Sequence, residues 1–285
     1  AINMAKNIIF YSLKDSFSLV WKNKAWFLAL VIIQIGFLIA VFTVSNAYLP
    51  KMLENAQAMS KYISTQNFDE ASMTERVLQQ KDILGDDPAA LAKYFDGVVE
   101  NFRIYLIYIF IFVLAFSSIL WSITHKIIGK LGLMQLMRNF YSILVILLFY
   151  LGLIFLFFYL LLNISFSEAV LQGSKIFIKY APFLVFSIIL AYFMFISMAL
   201  SHKGELKQLV HKTLSIGIRK AHYILAVYAI NVLLAVLFIF LMAYFINDES
   251  GNFFIVILSL IFFIFSFVFA RIFMINVVKK LENAE

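Results

Sequence analysis

The sequence predicts an all-α fold: a polytopic bundle of six transmembrane helices with the N-terminus and C-terminus cytoplasmic, interfacial amphipathic helices and a short helical outer loop. Three observations carry this. The 285 residues are 64% hydrophobic and 14% charged, against about 45–50% and about 25% in an ordinary soluble domain. A single core of this length cannot bury so much apolar side chain, because a soluble fold must still cover itself with polar groups. Six apolar runs, at residues 25–44, 104–121, 141–162, 182–200, 223–245 and 253–275, are long enough to cross a hydrocarbon core about 30 Å thick. None alternates polar and apolar residues as the strands of a membrane barrel do.

The elements follow in order. Residues 1–24 are expected to form a cytoplasmic interfacial helix, with Ile9, Leu13, Phe17, Val20 and Trp21 at helical spacing and dipping into lipid. Residues 25–285 then form the six-helix transmembrane domain. The first run, flanked by Lys22, Lys24 and Ser45-Asn46-Ala47, has the flanks of a secretory signal. Its length exceeds the roughly 7–15 apolar residues of a signal core, so it reads as a retained span.

The extracytoplasmic loop 45–103 is helical in composition over 51–66. Ser72-Met73-Thr74-Glu75 reads as a capping box opening a further helix. After a break at Gly85-Asp86, Asp87-Pro88 reads as an N-cap followed by proline at the first helical position, with the helix running through Lys93 and Glu100 into the second span. The loop is too small to bury a core of its own. Amphipathic stripes recur at Phe166–Tyr180, on the outer side, and at Leu206, Leu209, Val210 and Leu214, on the inner side. With residues 5–24 they share a plan of amphipathic stretch, basic pair and apolar run, a degenerate repeat whose units fall on different sides.

Orientation rests on Lys and Arg. With the N-terminus inside, the inner segments carry 15 of them and the outer segments 8, which satisfies the positive-inside rule. The expected localisation is the cell membrane, multi-pass, with both termini cytoplasmic. The net charge of +7 then reads as loop charge meeting anionic lipid at the cytoplasmic face, and no nucleic acid partner is expected.

The chemistry is sparse. Cysteine is absent, which excludes disulfides, thiolate nucleophiles and thiolate metal sites. No H-E-x-x-H, phosphate loop or G-x-S-x-G occurs, and Gly129-Lys130-Leu131-Gly132 lacks the context of a nucleotide site. No charged residue is expected at the middle of a span, which weighs against proton coupling. Arg103, Arg271, Trp21, Trp26, Trp121, Tyr105 and Tyr108 read as headgroup anchors at span ends. The histidines, His125, His202, His211 and His222, read as interfacial residues of basic inner loops, without the spacing or carboxylates of a metal site. Asp69, Glu70, Asp86 and Asp87 read as solvated loop acids. No catalytic, cofactor-binding or metal residue is assigned, and no cofactor is expected.

Two sets of residues remain as candidates. Gln34 and Asn231 are intramembrane amides, which must find partners in hydrocarbon or face a polar cavity. Thr43, Ser117, Ser118, Ser187, Ser197, Ser259 and Ser266 are less costly. Gly36 and Gly152 are expected to allow close helix approach. Lys126, Lys130 and Arg138, in the inner segment 122–140, are candidate contacts for a cytoplasmic partner.

Ser16-Phe17-Ser18-Leu19-Val20-Trp21-Lys22-Asn23 resembles the starts of several loosely defined prokaryotic membrane proteins. The six-span plan, with an N-terminal interfacial helix and both ends inside, resembles the membrane subunit of ABC-2-type exporters. That resemblance implies a separate cytoplasmic ATPase docking on the inner loops, with 122–140 the natural contact. The helical loop after the first span departs from it. Three readings follow: a non-catalytic scaffold or accessory component working with other membrane proteins, an ABC-2-type exporter permease driven by that ATPase, and a lipid-modifying membrane enzyme, ranked last.

Overall fold

The computed structural model describes residues 2–65, 88–161, 175–201, 206–247 and 253–283. Among them are eight helices and no strand: α1 (Ile2–Lys22), α2 (Lys24–Thr65), α3 (Pro88–Gly129), α4 (Leu133–Leu161), α5 (Lys175–Leu200), α6 (Leu206–Arg219), α7 (Ala221–Asn247) and α8 (Phe253–Glu282). Six of them, α2–α5, α7 and α8, are long and apolar enough to cross a membrane, so the all-α, six-span prediction holds. The apolar window of α7 is only 11% buried against the rest of the chain. A helix that is apolar all round and mostly unburied needs lipid, not water, around it.

The spans extend further than their apolar runs. α2 continues without interruption to Thr65, through Pro50, and α3 starts at Pro88 as the N-cap reading required and passes through Lys93 and Glu100. The described parts of loop 45–103 are thus extensions of two spans. Its capping box at Ser72, its break at Gly85 and the acids Asp69, Glu70, Asp86 and Asp87 lie outside the described residues. So does most of the stripe before the fourth span, where α5 begins at Lys175 and not at Pro182.

Local chemistry explains the breaks. Asn23 separates α1 from α2: its backbone and side-chain amides both donate to the Leu19 carbonyl at 3.0 Å, and its own carbonyl accepts from Phe27. One side chain ends the first helix while the residue's backbone starts the second. Between α3 and α4, Lys130 has φ 50°, the left-handed conformation usual just past a helix end. Gly132 then opens α4, its amide held by Gln135 Oε1 at 3.2 Å, the side-chain-to-N-cap half of a capping box. The two glycines there belong to a helical hairpin turn.

The chain divides into two compact units. The first comprises Ala1–Leu38, Val113–Gly152 and Ile188–Glu285. Its core includes Ile196, Met198, Ile216, Ile224, Phe273 and Ile275, all essentially inaccessible. Gly217 of α6 is required for close approach: a Cβ there would lie 2.6 Å from the Phe193 ring, and overpacking of that kind costs about 1–3 kcal/mol. Gly36 and Gly152, the expected contact glycines, are not close approaches. Gly152 has nothing within 4 Å of a Cβ and Gly36 only the Phe116 ring at 3.7 Å.

The second unit comprises Ile39–Phe112 and Leu153–Ser187. Within it Ser45 and Tyr105 hydroxyls meet at 3.3 Å, Tyr48 lies beside Tyr108, and Phe157 packs on Phe183 and Phe186. Arg103 sits 5.8 Å from the Tyr159 ring centre, an aromatic contact fitting an interfacial anchor.

Candidate functional site

Three polar clusters lie in the first unit, and each is set by helix geometry. The first gathers at the C-terminal end of α8. Asn276 Nδ2 donates to Ser16 Oγ at 2.8 Å, Lys280 Nζ reaches Asp15 Oδ2 at 2.6 Å, and Lys212 Nζ reaches Glu282 Oε1 at 2.6 Å. One span end thereby holds both amphipathic helices, α1 and α6. The exposed Asp15 pair contributes about 0–1 kcal/mol, so the buried Asn276–Ser16 contact does more to hold α1.

In both helices the expected apolar stripe is split: Ile9, Leu13 and Val20 of α1 and Leu209 of α6 pack on the core, and the rest of each stripe that the structure describes is exposed. On α1 the fully buried residues are Ser12 and Ser16, whose small side chains let α8 approach, while Phe10, Phe17 and Trp21 are exposed. On α6 the buried line is Leu209, Thr213, Ile216 and Gly217, leaving Val210, Leu214 and Ile218 exposed. The predicted stripes followed hydrophobicity alone, and the folded helices divide their apolar residues between protein and surroundings.

The second cluster surrounds His125, which is not an interfacial loop histidine: it lies inside α3 and is buried. α5 ends at Leu200, so the last carbonyls of that helix have no intrahelical amide. His125 Nε2 lies 2.8 Å from one of them, Met198 O, and 3.2 Å from Ser201 Oγ, whose hydroxyl donates to Asn139 Oδ1 at 2.9 Å. A carbonyl only accepts, so Nε2 carries the hydrogen. The bonds therefore run from His125 to Ser201 to Asn139, opposite in sense to a serine nucleophile giving its proton to histidine. His125 caps α5 from a neighbouring helix. Close by, Ser197 bridges Tyr150 and Thr213 at 3.2 Å each, and Tyr192 Oη donates to Gly217 O at 2.8 Å. His211 and His222 are exposed, and His202 lies outside the described residues.

The third cluster is the one the sequence places least well. Arg271, expected as a headgroup anchor at a span end, lies within the 30-residue α8. Its Nη1 donates to Oε1 of the buried Gln34 at 3.0 Å. Its Nε and Nη2 are shielded and meet no partner among the described residues, and the same is true of Asn231 Oδ1. Arg271 and Asn231 line one cavity of about 320 Å³, with Ser117, Trp121, Tyr228 and Phe267 among its walls. Of the two candidate amides, Gln34 finds a protein partner and Asn231 faces the cavity. Their separation in sequence gave no sign that Arg271 stands with them.

Of the other span hydroxyls, Thr43, Ser118, Ser187 and Ser266 bond back into their own helices. Lys126 Nζ stacks 4.0 Å over Trp26, whereas Lys130 and Arg138 are exposed, so the three basic residues of 122–140 do not form one cluster of free cations. Among the described residues no group of three or more His, Cys, Asp or Glu is placed to hold a metal. Comparison with protein-family models, curated proteins and solved structures finds no match to this chain.

Proposed function

We propose that this multi-pass membrane protein is a non-catalytic scaffold or accessory component of a membrane complex. The observation that supports it most is the end of α8, where Asp15, Ser16 and Lys212 from two amphipathic helices are tied to Lys280, Asn276 and Glu282. Such an end presents two ordered helices with exposed apolar stripes, Phe10, Phe17 and Trp21 on one and Val210, Leu214 and Ile218 on the other. Stripes of this kind suit other membrane proteins or the lipid interface. This end is read as cytoplasmic, facing anionic lipid of the cell membrane, with both termini on that side.

Gentle solubilisation, affinity capture and mass spectrometry test the reading. Co-purification of other membrane proteins without an ATPase is the expected result. A stoichiometric cytoplasmic ATPase, lost on charge reversal at Lys126, Lys130 and Arg138, would replace the scaffold with an exporter permease. The cavity beside Arg271 is the feature that favours this second reading.

Because the chain has no cysteine, orientation is tested by single substitutions. Ser72→Cys is expected to react with an impermeant reagent from outside, and Ser215→Cys only after permeabilisation. The reverse pattern overturns the orientation.

A further inference from the structure

We infer that the cavity beside Arg271 is a binding site for the head of an acidic amphiphile, a phosphate or carboxylate carried on an apolar chain. A guanidinium presents its donors in a planar fork, and Nε with Nη2 forms the edge that pairs two-pronged with a carboxylate or phosphate. Those are the two atoms of Arg271 that no described residue engages. The remaining donor atom, Nη1, is spent on Gln34 Oε1. Gln34 therefore acts as a positioning residue: it fixes the plane of the guanidinium and leaves the fork without a partner among the described residues.

The surroundings select the rest of the ligand. The lining includes no aspartate or glutamate to neutralise the arginine, and is otherwise mainly aromatic and aliphatic, with Trp121, Phe195, Val232, Phe267 and Met274. A buried cation is costly unless it is paired, so an oxyanion entering here gains a desolvated counter-charge, while the apolar walls favour a carbon chain over water. Asn231 Oδ1 is an acceptor without a donor, and a hydroxyl next to the acidic group would satisfy it. About 320 Å³ is at the small end of ligand pockets, which run about 300–1,000 Å³. That suits a head and the first carbons of a chain.

Depth is consistent with this. With the hydrocarbon layer, about 30 Å thick, beginning at Phe253 as the expected span 253–275 has it, Arg271 lies 18 residues further along α8, about 27 Å at 1.5 Å per residue. An acidic head need only sink slightly below the headgroup layer to reach it.

The test uses the full chain in neutral detergent, with binding read as the shift in thermal unfolding midpoint on titration. The probes are phosphatidylglycerol in phosphatidylcholine mixed micelles, phosphatidylcholine alone, and inorganic phosphate. Phosphatidylglycerol is expected to raise the midpoint, and the other two to leave it unchanged. Arg271→Lys keeps the charge and loses the fork, and is expected to weaken the response at least tenfold. Gln34→Met, which keeps the arginine and frees its plane, is expected to weaken it about threefold, and stands in if the first variant does not fold. Arg138→Gln, an exposed cation elsewhere, is expected to change nothing.

Equal stabilisation by inorganic phosphate would overturn the amphiphile and leave a small-anion site. An effect of phosphatidylglycerol that survives Arg271→Lys and Gln34→Met, or falls with Arg138→Gln, would assign it to surface charge and overturn the site. Absence of any response to phosphatidylglycerol would do the same.

Discussion

His125 and Arg271 both sit inside spanning helices of the same compact unit, and their hydrogen bonds serve different ends. Around His125 three bonds link neighbouring elements: Nε2 donates to the Met198 carbonyl, Ser201 Oγ donates to Asn139 Oδ1, and Ser142 Oγ reaches Ser201 O at 3.4 Å, while Asn139 Nδ2 meets no partner among the described residues. Around Arg271 one bond to Gln34 is made, and two donor atoms are left against a cavity. Bonds that tie α3, α4 and α5 to one another hold the place where three helices meet. Two unspent donors on one cation are expensive in a medium that cannot solvate them, and are retained where a ligand completes them. What separates the two clusters is thus the cavity of about 320 Å³ that Arg271 lines and that His125 and Asn139 do not.

The sharpest way to break this comparison is to delete the two side chains in turn and measure unfolding in neutral detergent without acidic lipid. His125→Leu removes a cap and strands a buried carbonyl, which costs about 1–3 kcal/mol. Arg271→Met removes a buried cation that is only partly matched, and replacing such a charge with an apolar side chain is often neutral or favourable. The expected outcome is a clear loss of stability for the histidine variant and none, or a gain, for the arginine variant. Equal losses would make Arg271 a structural residue and erase the distinction.

The same pair marks how far the sequence was legible. Apolar runs of about 20 residues are a one-dimensional signal, so the six spans, the start of α3 at Pro88 and the presence of α1 and α6 could all be read directly. Which face of an amphipathic helix meets protein is a three-dimensional matter. Ser12, Ser16 and Gly217 are buried because they are small, a property a hydrophobic stripe hides. Arg271 was placed at a span end because apolar residues thin out after Ile275. In the fold α8 runs on to Glu282, with Ile272 through Val278 buried against neighbouring helices, which puts the arginine inside. His125 misled for a related reason: α3 is helical to Gly129, eight residues beyond the expected end of the apolar run at residue 121, and His125 falls in that extension. Gln34 and Arg271 lie 237 positions apart, and no pattern within a single helix links them.

The smallest expected effect concerns Lys130, where the backbone effect and the proposed partner contact separate cleanly. Its φ of 50° is unfavourable for a residue with a Cβ and easy for glycine, the usual occupant just past a helix end. Lys130→Gly therefore relieves backbone strain and is expected to stabilise the α3–α4 hairpin by about 0.5–1 kcal/mol, reduced by the extra freedom that glycine gives the unfolded chain. Neither polar cluster contains Lys130, so the responses of His125→Leu and Arg271→Met should be unchanged in its background, as distant sites add. If Lys130 also serves as a contact for a cytoplasmic partner, the stabilised variant should lose captured partner while unfolding later. A variant that is both less stable and unaltered in capture would contradict the helix-end account and the partner account together.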